Sequence, residues 1–145
     1  MSLARVLSEF ASRNGIEGIP PRPDGSFLLV FDDRYKVRFR GDGSNAAIIH
    51  ARIGVLPTDG RERAEAVQTL LGTATARMRK APDIVALSED EREVTLFRRF
   101  ATDVSPSAFE TLLSEFVNAL AFWQRAYSSG ATRPAVPPIM AGRVL

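Results

Sequence analysis

Few side chains in this sequence could perform catalysis, and they lack partners. His50 is the only histidine in the chain, and it stands in the apolar run AAIIHARI without a nucleophile or ligand set nearby. Asp32 and Asp33 form a pair of carboxylates, the groups that general acid–base catalysis often uses. However, adjacent aspartates between two strand-like runs are typical of a tight turn. The sequence therefore predicts no catalytic residue.

Two further binding chemistries are also missing. The run Gly41-Asp42-Gly43-Ser44 lacks the lysine and the strand-to-helix context of a phosphate-binding loop. The chain has no cysteine, which excludes a disulfide and a thiolate zinc site, and no spacing of carboxylates indicates another metal. We expect no cofactor, no metal and no enzymatic activity. A small enzyme with a polar pocket around His50 is a competing hypothesis.

One cluster of cations has a regular spacing. Lys36, Arg38 and Arg40 alternate with apolar residues in RYKVRFR, so they share one face of a predicted strand. A small basic nucleic-acid-binding α+β module is therefore the alternative function. Against it, 19 basic residues face 17 acidic ones, and the aromatic residues of this strand point to the opposite face, where they cannot stack on bases. We interpret the cluster as a solvated face that limits aggregation at a sheet edge, so nucleic acid is not the expected partner.

The composition indicates one globular domain. Hydrophobic residues make up 45% of the 145 positions and charged residues 25%, which is ordinary for a folded protein. No run approaches the roughly 20 apolar residues that span a bilayer. Glu9 and Arg13 interrupt the N-terminal segment where a signal peptide is apolar. Together with the absence of cysteine, these features predict a soluble, cytoplasmic protein with no membrane partner.

The first predicted helix carries one apolar stripe. Ser2 can cap it and Gly15 can end it. The spacing i, i+3, i+4, i+7 places on one face the residues Leu3, Val6, Leu7 and Phe10. Because the helix is short and precedes a proline-rich break, we expect it at the margin of the sheet. Leu7 and Phe10 should partly cover core, and Leu3 and Val6 should be more open.

Five strand-like segments follow. They are residues 26–31, 34–40, 46–53, 83–88 and 93–100. The first is a continuous apolar run, which is typical of a strand buried on both faces. The turn signals DD, GDGSN and EDER separate strands that should form hairpins.

Two more helices complete the pattern. Asp59, with Glu62 three residues later, resembles a capping box after Pro57, and Pro82 ends the second helix. Its apolar stripe consists of Ala64, Val67, Leu70, Leu71, Ala74 and Met78. The third helix starts at Ser105 and should stop at Gly130. The order α-β-β-β-α-β-β-α predicts an α+β fold in which a twisted antiparallel sheet packs against helices. We expect one domain over residues 1–130 and an extended or mobile tail over 131–145.

This order of elements, with VLPTDGRERAEAVQTLL and VSPSAFETLLSEFVNALAFWQRAY, resembles the class I type III secretion chaperones, the Tir-chaperone family. The likeness covers residues 3–128. It implies a homodimer that binds an extended N-terminal segment of a secreted effector without ATP or catalysis, keeping that segment soluble and competent for secretion.

The resemblance also implies two sets of site residues. The second helix and the following strand form the dimer interface of the family, which here corresponds to Val67, Leu70, Leu71, Ile84, Val85 and Leu87. The effector grooves use apolar residues of the first helix and the sheet, which here correspond to Leu3, Val6, Leu7, Phe10, Phe27 and Leu29. We therefore expect part of this apolar surface to be left uncovered by the chain itself.

The chain departs from the family in two respects. Members are commonly acidic, whereas this chain has a formal net charge of +2. The connection between the second helix and the fourth strand is usually rich in glycine, and ARMRKAP stands there instead. The first difference bears on the charge of the partner and the second on the geometry of the dimer.

Overall fold

The computed structural model describes residues 2–77 and 83–131, with side chains up to Ser128. Within these residues it contains three helices and five strands in the predicted order. They are α1 (Leu3–Arg13), β1 (Phe27–Phe31), β2 (Tyr35–Gly41), β3 (Ala46–Val55), α2 (Gly60–Arg77), β4 (Ile84–Leu87), β5 (Glu93–Ala101) and α3 (Pro106–Ala131). The α+β class and the element order are confirmed. The predictions for Met78, Pro82 and residues 132–145 lie outside the described residues.

Capping side chains set the starts of the helices. Ser2, Asp59 and Ser105 each accept a hydrogen bond from the backbone amide three residues later, at 3.3, 3.0 and 3.2 Å. These bonds satisfy amides that have no partner inside the helix. Since Asp59 occupies the cap position, α2 begins at Gly60 and not at Pro57. At the other end of the chain, α3 continues through Gly130 to Ala131.

The five strands form one antiparallel sheet in the order β1-β2-β3-β5-β4. β1 and β4 are therefore its outer strands. The prediction that the apolar run of β1 is buried on both faces is wrong, because Val30 is 48% exposed and Leu28 is half-buried. Asp32 and Asp33 turn the chain from β1 into β2 in the left-handed conformation, with φ of 53° and 56°. Aspartate tolerates this conformation better than most residues, which explains the pair as a turn.

The core lies on one face of the sheet. Alternate side chains of the central strands are buried there, including Val37, Ile49 and Leu96. α3 lies across β3 and β2 on this face, and α1 and α2 flank α3. Phe109 of α3 stands at the centre. Its ring centroid is 5.6 Å from that of Phe10, 6.1 Å from that of Phe39 and 5.6 Å from that of Phe100. One aromatic cluster thus joins α1, β2, β5 and α3.

A glycine fixes the C-terminal part of α3 against the sheet. The ring of Tyr127 packs directly over Gly54 of β3, where an added Cβ would lie 2.6 Å from the ring carbons. The Tyr127 hydroxyl donates a hydrogen bond to the carbonyl oxygen of Val55 at 2.7 Å. A side chain at position 54 would displace the ring, so this contact requires glycine.

The apolar stripe of α1 belongs to the core. Leu3, Val6, Leu7 and Phe10 are all less than one-tenth exposed. The expectation that Leu3 and Val6 are open is wrong, because α1 packs against α3 and its whole stripe joins the single core. At the end of the helix, Arg13 donates two hydrogen bonds to the carboxylate of Glu110 on α3, at 3.0 and 3.2 Å. This pair fixes the orientation of α1.

A charge placed in that stripe should therefore unfold the protein. We expect Val6→Glu to lower the free energy of unfolding by more than about 3 kcal/mol, because a carboxylate would lie in the core without a partner. Ala4→Glu adds the same charge on the exposed side of the same helix and should change the free energy of unfolding by less than about 0.5 kcal/mol. Urea denaturation followed by circular dichroism measures both, and equal midpoints would contradict the burial of the stripe.

Candidate partner-binding surfaces

The residues predicted to contact an effector lie on the core side of the molecule. Five of the six are buried, and Leu29 is half-buried and packs against the same core. The buried residues are Leu3, Val6, Leu7, Phe10 and Phe27. Phe27 and Leu29 pair with Phe39 and Val37 of β2, so their side chains point toward the helices. The expected uncovered surface is therefore not formed by most of these side chains.

An open groove lies where α1, β1 and α3 meet. Its volume is about 440 Å³. Its apolar lining consists of Phe10, Phe31, Leu113 and Val117, and its polar lining of Asn14, Asp32, Glu110, Ser114 and Asn118. Hydrogen bonds from Arg13 and then Asn14 hold the pKa of Glu110 below its usual value, so this carboxylate is ionised and fixed. Of the predicted effector-contact residues, Phe10 lines this groove.

The outer edge of β1 adjoins this groove. Within the described part of the chain β1 pairs with β2 alone, so every second amide and carbonyl of β1 faces away from the sheet. Proteins usually protect such an edge with charges, proline or a bulge. β1 has the sequence FLLVF and contains neither a charge nor a proline. It is an unprotected, apolar strand edge.

The second predicted surface lies on α2 and β4. Leu71, Ile84 and Leu87 are 63, 53 and 39% exposed, whereas Leu70 is buried in the core of the same subunit. A groove of about 430 Å³ on α2 is lined by Gly60, Arg63, Ala64, Val67, Gln68 and Leu71. The predicted apolar stripe of α2 is thus divided between two sides of the helix. Ala66 and Leu70 face the core, and Ala64 and Leu71 face outward, because α2 touches α3 along a narrow side only.

Charged side chains link α2 and β5 to α3. The guanidinium carbon of Arg77 lies 4.1 Å from the centre of the Phe122 ring, a cation–π contact between α2 and α3. Arg98 of β5 pairs with Glu115 of α3 at 3.1 Å. Burial raises the pKa of Asp83, and the nearby Arg98 and Arg77 oppose that rise. Sequence reasoning missed these contacts, since none follows from spacing along the chain.

The basic cluster and His50 lie on the face of the sheet that points away from the helices. Lys36, Arg38 and Arg40 belong to β2, which lies between β1 and β3. Lys36 and Arg40 are exposed, as expected for a solvated face, but a strand inside the sheet cannot protect a sheet edge, so that part of the interpretation is wrong. His50 stands directly opposite Arg38 in the pairing of β2 with β3. Burial, followed by the charges of Arg40 and Arg38, lowers the pKa of His50.

The polar pocket required by the enzyme hypothesis is not formed by the two grooves, since neither is lined by His50. Among residues 2–77 and 83–131, no group of three or more histidine, aspartate or glutamate side chains could hold a metal ion. Of the helices in this part of the chain, none has the length and apolar composition needed to cross a bilayer.

The fold and the surfaces agree with one class of protein, the secretion chaperones. Residues 5–124 match the sequence profile of the Tir chaperone protein (CesT) family. The match covers well over half of the chain, so the protein belongs to this family. No curated protein matches the chain.

Solved structures of type III secretion proteins share this fold. The Yersinia pestis chaperone SycH, in complex with a fragment of YscM2, superposes with a TM-score of 0.63 at 18% identity, covering 84% of this chain and 99% of that one. A chain of the ExsC–ExsE complex gives 0.65 at 22% identity, covering 86% and 96%. A chain of the ExoU–SpcU complex from Pseudomonas aeruginosa gives 0.63 at 10% identity, covering 83% and 96%. At these identities the likeness shows the fold.

The titration of His50 tests the electrostatics of the face that points away from the helices. We expect its pKa below the ordinary value of about 6.5, because burial and two arginines disfavour the imidazolium. On acidification, His50 of the unfolded chain then takes up a proton at a higher pH than His50 of the folded protein does. The stability that His50 contributes is therefore complete above about pH 6.5 and is lost as the pH falls through the folded-state pKa.

The ring-proton NMR resonances of this single histidine measure its pKa directly. Arg38→Gln should raise the midpoint, since it removes one repelling charge next to the ring. Arg22→Gln, which removes an exposed charge in the loop before β1, is the matched control and should leave the midpoint unchanged. A parent midpoint at or above the ordinary value would contradict the burial of the ring.

Proposed function

We propose that this protein is a cytoplasmic type III secretion chaperone that binds an extended N-terminal segment of an effector and keeps it soluble and competent for secretion. The observation that carries the proposal is the unprotected edge of β1 beside the groove between α1 and α3. Membership of the Tir chaperone family supports it. So does the likeness to a chain of the HopA1–SchA chaperone–effector complex, with a TM-score of 0.67 at 12% identity.

The edge of β1 supplies the main-chain part of the binding. An extended segment placed beside Phe27–Phe31 would exchange hydrogen bonds with the outward-facing amides and carbonyls of the strand. These bonds do not depend on the sequence of the segment. They also suit a partner that must stay unfolded, because its backbone is satisfied without a fold of its own.

The groove supplies the side-chain part. A segment added to β1 turns alternate side chains toward the helices, and the groove at the Phe31 end of the strand offers them an apolar lining next to polar groups. Hydrogen bonds from Arg13 and Asn14 already hold the Glu110 side chain, so it loses little conformational freedom when a partner binds. The residues predicted to touch the effector then have two roles. Phe10 and Leu29 contact the segment, and the others fix the surface from beneath.

The proposal includes a homodimer formed through α2 and β4. In one subunit the apolar side chains of Leu71, Ile84 and Leu87 lie in water, and Val67 lines the groove on α2. A second copy related by a two-fold axis would cover these side chains with the same patch. It would also provide a second β1 edge, so one long segment could engage both subunits with a gain in avidity. Binding of this kind makes and breaks no covalent bond, so the proposed activity requires no catalytic residue.

Partner binding can be separated from folding with two prolines in β1. Since alternate amides face β2, one of Leu29→Pro and Val30→Pro removes a bond inside the sheet and the other removes only an outward-facing donor. The variant that keeps the parent unfolding midpoint should bind the effector segment at least about tenfold more weakly. Its proline removes one hydrogen bond to the segment, and the proline ring hinders the approach of the segment to β1.

The partner for this measurement is the N-terminal segment of each type III effector encoded beside the gene, co-expressed and then titrated by calorimetry without ATP. The parent should form a complex in which the segment stays unfolded by circular dichroism. If no such segment binds at micromolar concentration, the proposed function is wrong. If the well-folded proline variant binds like the parent, strand addition to β1 is wrong.

The dimer can be tested with an added charge on α2. We expect light scattering to give twice the subunit mass for the parent at micromolar concentration and the subunit mass for Leu71→Lys, because a buried, unpaired ammonium disfavours the interface. Val55→Lys is the matched control, since Val55 is equally apolar and 56% exposed at the end of β3. A parent that is monomeric, or a Leu71→Lys variant that stays dimeric, would exclude this interface.

A further inference from the structure

The face of the sheet opposite the helices, here called the open face, carries one continuous row of side chains. The register of the strands places five residues directly beside one another, one from each strand. In sheet order they are Leu28, Arg38, His50, Phe97 and Ile84. Four are half-buried and Ile84 is exposed, and none of the three described helices packs on them. The open face therefore has an apolar surface interrupted by cations.

The positive charge on this face is only partly compensated. Arg52 pairs with Glu93 at 3.1 Å, and Arg99 pairs with Asp42 at 2.7 Å. Within the described chain no ion pair involves Lys36, Arg38 or Arg40. These three cations occupy alternate positions of β2, so they repel one another along a strand in the interior of the sheet.

This arrangement is costly for a surface that faces only water. Arg38 is half-buried between Leu28 and His50, so part of its hydration is lost without a carboxylate in return. Its charge also disfavours protonation of the neighbouring imidazole. An anionic partner on β2 would remove the repulsion among the three cations.

The spacing of the cations specifies the shape of that partner. Alternate residues on one face of a strand are about 7 Å apart. An extended peptide repeats its side chains at the same distance on one face, so carboxylates at every second position match the three cations. A nucleic acid would need aromatic side chains beside the cations for stacking. The aromatic residue in the row, Phe97, is half-buried and separated from β2 by β3.

We propose that the open face binds an acidic, extended polypeptide segment that runs along β2 and whose carboxylates, at every second position, contact Lys36, Arg38 and Arg40. The proposal rests on the proposed chaperone function, since the segment is then a part of the effector. It names the chemistry of that part. The open face continues directly from β1, so the same effector reaches it without crossing the core.

The experiment uses two fluorescent synthetic peptides and the full chain. One peptide alternates glutamate with valine and leucine, and its counterpart has glutamine at each glutamate. We expect the glutamate peptide to bind at least about tenfold more tightly, with affinity that falls as salt is added. Binding should also shift the ring-proton resonances of His50, the only histidine of the chain.

Two triple variants with the same change in charge separate the site from net charge. The variant Lys36→Gln, Arg38→Gln, Arg40→Gln should bind the glutamate peptide at least about tenfold more weakly than the parent does. The control Arg22→Gln, Arg92→Gln, Arg125→Gln removes three exposed cations elsewhere and should bind within about twofold of the parent. If the first triple variant has a lower unfolding midpoint than the parent, the single variant Arg40→Gln, at an exposed position, replaces it. We then expect the affinity for the glutamate peptide to fall by at least about threefold.

Three outcomes overturn the inference. They are equal binding of the two peptides, equal loss in the two triple variants, and an oligothymidylate that binds the open face more tightly than the glutamate peptide. The test on effectors is separate. If a bound effector segment loses no affinity in the Lys36, Arg38, Arg40 variant, the open-face inference is wrong and the chaperone function stands. If the glutamate peptide binds but no effector segment does, the chaperone function is wrong and the anion-binding surface stands.

Discussion

The structure depends on one constraint, which is that all three helices cover the same face of a single five-stranded sheet. A sheet has two faces and two edges, and the helices of residues 2–77 and 83–131 bury one face only. The backbone groups along the outer edges of β1 and β4 must therefore bond to water or to another polypeptide. The same constraint leaves the row from Leu28 to Ile84 open. Every candidate binding surface of the protein is a part of the sheet or of a helix that the core does not use.

The covered face makes the uncovered surfaces rigid. The ring cluster around Phe109 joins α1 and the start of α3 to the sheet, and the contact of Tyr127 with Gly54 holds the C-terminal part of α3 against it. The edge of β1 and the groove beside it are therefore supported by a packed core. A partner that arrives as a flexible chain loses much conformational entropy on binding, so a binding surface that needs no rearrangement keeps more of the interaction energy.

The sequence predicted what depends on neighbouring residues and failed on what depends on the assembled sheet. Ser2, Asp59 and Ser105 cap helices through bonds that span three residues, so the helix starts and the element order were predictable. Periodicity identified the apolar stripe of α1 but not the surface that covers it, and the stripe proved to be core. β2 lies between β1 and β3 through hairpins that the turn signals predicted, whereas the pairing of β3 with β5 joins distant parts of the chain and does not follow from local sequence. Which residues of α2 face outward likewise depends on its contact with α3, which covers only a narrow side of the helix.

Charge shows the same difference between composition and structure. A net charge of +2 says little about partners, because acids and bases are nearly balanced along the chain. Folding then pairs Arg52 and Arg99 with carboxylates and leaves the three cations of β2 together. The local charge is therefore set by the register of the strands. A chaperone that binds backbone groups at β1 would accept many segments, whereas a charge pattern next to that edge rejects segments without matching carboxylates. If both proposals hold, the two surfaces together would let the protein bind an unfolded chain and still distinguish one chain from another.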